Sequence, residues 1–380
     1  MAKVGDRVQA AVGSVAVIDA GEGLDALLKV LQRGGYRTIG PKVRDGAVVL
    51  EDVSRADELP LGLIDDQQPG QYRLSQAKTP AYFDFTHGAQ SWKRYLFPPK
   101  EKLWSAQKTN KGFDVQNDID APKYAFIGVR ACELNAIAIQ DKVFIAGEHV
   151  NTSYQARREK ALIVALNCRR AGGTCFCASM NAGPKVEGGY DLALTELTNK
   201  SGHSFLIEAG SEHGEKILAK LNTRPATPAD IKAAAKAVEQ AAQSMGREMP
   251  KSARKVLTKN LESAHWQDVA NRCLDCANCT LVCPTCFCNT TTDTTSLDGQ
   301  HAERWRQWDS CFTLDFSYIH GGAIRREGSE RYRQWITHKL ASWHEQFGVS
   351  GCVGCGRCIT WCPVGIDITA EVRAIAKKGK

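Results

Sequence analysis

One cysteine spacing occurs twice in this chain, and that repeat constrains the fold more than any other feature. Cys273, Cys276, Cys279 and Cys283 run C-x2-C-x2-C-x3-C and are followed by Pro284; Cys352, Cys355, Cys358 and Cys362 repeat the run ahead of Pro363. Eleven of the 15 cysteines lie between Cys273 and Cys362, and the others are Cys132, Cys168, Cys175 and Cys177. A chain of 380 residues buries a full core without covalent help, so disulfides are not needed to explain the count. Lys3 and Arg7 ahead of Ala10 to Ile18 faintly imitate an export signal. However, Gly13 and Ser14 interrupt that run, and Asp19, Gly21 and Glu22 follow without a small-x-small cleavage pattern, so it reads as a strand and turn. The thiols are therefore expected in a reducing, cytoplasmic compartment, where clustered cysteines favour metal ligation.

The repeated run is that of bacterial two-cluster ferredoxins. Three closely spaced thiolates wrap one face of a [4Fe–4S] cube with their backbone amides directed at the sulfides, the fourth cysteine leads to the other cluster, and the proline fixes the exit turn. The ligand sets are expected to cross: Cys273, Cys276, Cys279 and Cys362 for one cluster, Cys352, Cys355, Cys358 and Cys283 for the other. Structural zinc pairs C-x2–4-C knuckles across a longer spacer and needs neither the third cysteine nor the proline. The two runs are separated by 68 residues, Pro284 to Gly351, which must fold back and which hold Cys286, Cys288 and Cys311.

Upstream, the pattern is α/β. Leu24, Leu27, Leu28 and Leu31 recur at helical spacing before Gly34-Gly35, and Val43 to Val53 reads as a hairpin around Asp45-Gly46. Tyr95 to Pro99 and Lys108 to Gly112 read as loops, and the aromatics from Tyr82 to Phe97 as core or subunit surface. Tyr124 to Val129 and Ala161 to Leu166 are short continuous apolar runs, the mark of buried parallel strands, with a helix over Glu133 to Phe144 between them. Asp191 to Leu197 and Ser204 to Glu208, joined by Asn199 to Gly202, suggest a hairpin, and Glu212 to Leu221 a helix. Thr227, Pro228 and Asp230 open an Ala-rich helix expected to reach about Met249. The expected organisation is an α/β N-terminal domain over 1–222, a helical connector over 223–265, and an α+β ferredoxin-like domain over 266–380 with an inserted helical segment at 284–351.

Cys132 follows the first buried strand, Cys168 the second, and Cys175 and Cys177 the loop after it. Ligands of open parallel sheets bind beyond the carboxyl ends of the strands, so these four thiols are expected to hold a third [4Fe–4S] cluster. A helix N-terminus at Cys132 should lower its pKa. Buried free thiols, or a redox-active Cys175/Cys177 pair, are the alternatives. Thr-Cys-Phe-Cys occurs at Thr174 to Cys177 and again at Thr285 to Cys288. Cys286, Cys288 and Cys311 supply a further site, complete the third, or simply pack. Trp305, Trp308 and Cys311, at i, i+3 and i+6, read as one helical face, more in keeping with core than with a cofactor site.

Several stretches together resemble a known family: Gly128 to Leu134, Leu166-Asn167-Cys168, Thr174 to Ser179, Arg272 to Cys288, Trp308 to Cys311 and Gly351 to Pro363. The chain is similar to the beta subunits of cytosolic NiFe hydrogenases of the sulfhydrogenase (sulfur reductase) type, and to one of the chains of anaerobic sulfite reductase. That resemblance implies a non-catalytic electron conduit in a soluble NAD(P)-linked complex. It would stand between a flavin subunit that handles NAD(P)H and a hydrogenase small subunit, or a sulfur- or sulfite-reducing partner. No G-x-G-x-x-G follows a strand, so no nucleotide or flavin is expected in this chain itself. A net charge of +7 without a Lys/Arg block argues against nucleic acid, and no apolar run nears the ~18 residues of a membrane span. Two other classes compete: an enzyme with its own substrate-binding cluster near Cys132 and Arg130, and a redox sensor. The basic, aromatic stretch Ile324 to Phe347 reads equally as a docking surface or an amphipathic helix.

Overall fold

A computed structural model describes residues 13–117, 119–199 and 202–378. Lys3, Arg7 and the start of the Ala10–Ile18 run lie outside these residues; the rest of that run enters a strand. In chain order the strands are β1 (Val15–Asp19), β2 (Arg37–Arg44), β3 (Ala47–Asp52), β4 (Leu63–Gln68), β5 (Gln71–Gln76), β6 (Lys100–Thr109) and β7 (Gly112–Gln116). They continue with β8 (Tyr124–Arg130), β9 (Leu162–Leu166), β10 (Leu192–Asn199), β11 (Gly202–Ala209), β12 (Arg224–Pro225), β13 (Asn289–Thr295), β14 (His301–Trp308), β15 (Tyr318–Ile319) and β16 (Gly322–Ala323).

Eight of them form one sheet in the order β12-β1-β11-β10-β9-β8-β2-β3. The central strands β2, β8, β9 and β10 are parallel neighbours, and the flanking pairs are antiparallel. The two apolar runs sit where continuous hydrophobicity requires, covered on both faces. Ala125, Ile127, Leu162 and Val164 pack with the Gly21–Arg33 helix on one face. Phe126, Val129, Ile163 and Ala165 pack with the Ala131–Phe144 helix on the other. That helix and a second, Thr152–Lys160, form the expected β8-to-β9 crossover. The β2–β3 hairpin turns at Asp45 and Gly46, both at positive φ, and the β10–β11 hairpin is also present, with residues 200 and 201 of its turn outside the described residues.

Several expectations change. The Ala-rich helix opens as read, with a Thr227–Asp230 capping box and Pro228 in its first turn, but ends at Gln243. Tyr95 falls in a helical turn, Lys93–Leu96, and Lys108 to Gly112 is the bend of the β6–β7 hairpin. Trp305 and Trp308 lie on strand β14, and Cys311 follows it, so the three share no helical face. The segment 284–351 is not purely helical: it begins with β13–β14, and β14 pairs with β6 to make a four-stranded sheet, β13-β14-β6-β7. The partner strand lies some 200 residues away, so nothing local in β6 announces it. Ile324 to Phe347 folds as a Gly328–Thr337 helix that widens over His338–Ser342 and continues to Phe347. Arg331, Tyr332, Trp335 and Trp343 of this stretch are buried, so much of it is core rather than docking surface. Among the described residues no helix is long and apolar enough to cross a membrane.

Candidate iron–sulfur sites

The two cysteine runs fold alike. Asp275 and Ala277 in the first have φ of 48° and 64°; Gly354 and Gly356, at the same places in the second, have 66° and 77°. Each loop then enters a one-turn helix, Asn278–Leu281 or Arg357–Thr360. The left-handed residues turn successive amides inward. The Asp275 amide donates to Cys273 Sγ and the Gly354 amide to Cys352 Sγ, each at 3.4 Å, and the Ile366 amide reaches Cys362 Sγ at 3.3 Å. Amide donors to sulfur are how a protein stabilises thiolate and cluster charge.

The runs also meet in the crossed sense. Cys279 lies in the field of Cys273, Cys362 and Cys276, and burial raises its pKa well above the ordinary thiol range. Burial likewise pushes Cys273 up to about 11 and Cys352 up to about 12. Cys283 faces Cys352, Cys355 and Cys358. A thiol hydrogen bond from Cys286 holds Cys283 well below its ordinary pKa, assisted by the Lys339 ammonium 3.3 Å away and by Thr285. The groove bounded by Cys273, Cys276, Cys279 and Cys362, with Cys358 of the second run also on its wall, is lined by Tyr332 and Trp335, whose buried hydroxyl and indole N–H have no protein partner. Orphaned donors beside these thiols fit a sulfide-rich group. Among the described residues no three His, Cys, Asp or Glu side chains converge as tightly as a single metal ion requires. A four-iron cube spreads its thiolates further apart, so the residues present fit clusters better than zinc.

The four upstream thiols gather beyond the carboxyl ends of β8 and β9, as their positions predict. Cys132 faces Cys177, Cys355 and Cys168; Cys175 faces Cys168 and Cys355; Cys177 faces Cys175, Cys168 and Cys355. The expected pKa depression at Cys132 is not found. Cys132 is buried, and desolvation, together with the neighbouring thiols, drives its pKa well above normal, outweighing the helix N-terminus. Burial likewise pushes Cys175 up to about 12. Such thiols ionise only with a cationic partner, which cluster iron would supply.

Charged groups surround this set, and of them only Arg130 stood out in the sequence. Arg130 Nη1 donates to Cys168 Sγ at 3.2 Å, and its Nη2 to the carbonyls of Phe83 and Phe85. His87 Nε2 lies 3.0 Å from Cys132 Sγ, and burial, with Arg357 and Arg130 nearby, keeps that imidazole neutral. Glu133 accepts from Trp92 Nε1 and from Arg357, a fully buried ion pair joining the α/β half to the second cysteine loop. The signal was available: Arg357 stands between Cys355 and Cys358, where the first run has Asn278, and Glu133 adjoins Cys132. The two Thr-Cys-Phe-Cys stretches bring their threonines to the second loop from both sides. Thr174 Oγ1 meets Thr360 Oγ1 at 2.7 Å, and Thr285 Oγ1 donates to the Gly351 carbonyl at 2.6 Å. Cys286, Cys288 and Cys311 do not join the third set; they line a separate cavity beside Lys339.

This fold and these thiols define an iron–sulfur protein. Residues 272–366 match the family described as 4Fe-4S dicluster domain, so the C-terminal part carries two [4Fe–4S] clusters. Over 344 residues the chain is 28% identical to sulfhydrogenase 2 subunit beta of Pyrococcus furiosus, covering 89% of this chain and 92% of that protein, which bears out the resemblance read from the motifs. No solved structure matches.

Proposed function

We propose that the chain is the electron-relay subunit of a soluble, cytoplasmic oxidoreductase complex. It would stand between a flavin subunit that oxidises NAD(P)H and a hydrogenase partner; a sulfur- or sulfite-reducing partner is the alternative. The name of its relative, a sulfhydrogenase subunit, supports this placing. The observation that carries the reading is the continuous succession of thiol sets. Cys276 is exposed at the rim of the first loop, Cys279 faces Cys283 and Cys358 of the second set, and Cys355 faces Cys132, Cys175 and Cys177.

Bound clusters supply one-electron chemistry. The chain's own residues hold them in order, with the crossed sets at Cys273, Cys276, Cys279, Cys362 and at Cys352, Cys355, Cys358, Cys283, and a third at Cys132, Cys168, Cys175 and Cys177. Cys283 of the second set and Cys132, Cys175 and Cys177 of the third are buried, which limits water there, while Arg130, Arg357 and Lys339 offset the negative charge. Anaerobically prepared chain should stay oxidised with NAD(P)H alone, be bleached by dithionite, and respond to NAD(P)H once a flavin subunit is supplied. Rapid reduction of a terminal acceptor from NAD(P)H by the chain alone would sink the relay reading.

A further inference from the structure

Beside the second cysteine set lies a cavity of about 250 Å³, several times the ~30 Å³ share of one water. Cys286, Cys288 and Cys311 line it, with Lys339, Trp335 and Trp343. Trp335 and Trp343 are 4% and 2% exposed, and neither indole N–H has a protein partner. Two ammonium groups border these thiols. Lys339 Nζ donates to Cys283 Sγ, to Thr285 Oγ1 at 3.0 Å and to the Gly351 carbonyl at 3.2 Å. Lys93 Nζ donates to the Cys286 carbonyl at 3.2 Å and sits 3.9 Å from the centre of the Trp308 ring. Both lysines are buried, and among the described residues neither has a carboxylate within the 4.0 Å of an ion pair. Buried cations need compensating negative charge, and buried N–H donors need acceptors. Cys283 of the second set already offsets Lys339, but Lys93 has no anion of its own, so three thiols, the orphaned Trp343 indole and one uncompensated ammonium call for an anionic group rich in hydrogen-bond acceptors.

We propose that Cys286, Cys288 and Cys311 hold a fourth [4Fe–4S] cluster, with one iron left to an exchangeable small-anion ligand. The thiols are not gathered tightly enough for a single metal ion, and a cube, anionic and faced with sulfides, meets both demands of the cavity. No fourth cysteine lines it, so one iron of the cube is left without a thiolate. Arg325 and Lys339 at the wall favour an anion at the free position. Cys311 lies in the field of Cys279 and Cys286 in that of Cys283, so the site branches from the relay between its first and second sets.

The test is anaerobic reconstitution of the full chain, followed by iron and sulfide analysis and EPR. The unaltered chain should hold ~16 iron atoms, four per cluster. Cys286→Ser, Cys288→Ser and Cys311→Ser should each lose a quarter of the iron and the same single EPR signal, whereas Cys132→Ser loses a different one. Cyanide, as the small-anion probe, should shift only the signal that Cys288→Ser abolishes. The proposal is overturned if the unaltered chain holds no iron beyond the crossed and Cys132 sets, if one zinc replaces that quarter, or if cyanide moves no signal. Where a variant misfolds, ~16 iron atoms in the unaltered chain still carry the proposal and ~12 or fewer overturn it, and an absent fourth cluster leaves the relay reading intact.

Discussion

The two cysteine loops have the same backbone but opposite surroundings. In the first, the left-handed positions are Asp275 and Ala277, residues that pay for that conformation, and Leu274 and Cys276 beside them are exposed. In the second they are Gly354 and Gly356. A Cβ on Gly354 would sit 2.6 Å from the Phe176 carbonyl carbon, and one on Gly356 2.4 Å from the Thr174 carbonyl oxygen. Glycine is therefore needed in the second loop for space as well as for φ, because the Thr174–Cys177 stretch lies directly against it. The same fold of chain serves as a solvent-facing terminus in one copy and as an internal junction in the other.

The largest expected effect breaks the crossed pairing. Cys283→Ser should remove ~4 iron atoms and the EPR signal of the buried loop, and Cys362→Ser ~4 iron atoms and the signal of the exposed loop. Loss of the loop's own cluster in either case would show the sets to be uncrossed. Next comes the junction. Arg357→Ala leaves Glu133 buried without its guanidinium and should cost ~3–5 kcal/mol in chemical denaturation. The corresponding Asn278→Ala in the exposed loop, which loses one hydrogen bond to the Trp361 carbonyl, should cost ~1 kcal/mol. Smallest is a glycine comparison. Gly354→Ala should destabilise by at least the ~1–2 kcal/mol of a left-handed residue, with the clash added, whereas Ala277→Gly should be neutral or gain up to ~1 kcal/mol. Equal thermal shifts in the two variants would mean that the loops' surroundings do not differ as described.

Much of this was legible in the sequence because it is local. The thiol spacing dictates the loops, the runs YAFIGV and ALIVAL dictate buried parallel strands, and Thr227-Pro228 dictates a helix start. What escaped was non-local. Strand β6 is charged and weakly patterned, and takes its place only through β14. Trp305 and Trp308 satisfy a helical period by coincidence on a strand. The pKa of Cys132 is set by burial under the second cysteine loop, which no reading of its own helix reveals. Arg357 and Glu133 were visible as residues, yet their pairing joins positions 224 apart.

The β6–β14 pairing also sets a clock on the newborn chain. Gln107 and His301, paired across it, are 194 residues apart, so at ~5–20 residues per second the outer edge of β6 waits ~10–40 s on the ribosome for its neighbour. An unclaimed strand edge invites pairing with another chain. Lys100, Glu101, Lys102 and Lys108 stud that edge with charge, and would keep it soluble until β14 is made.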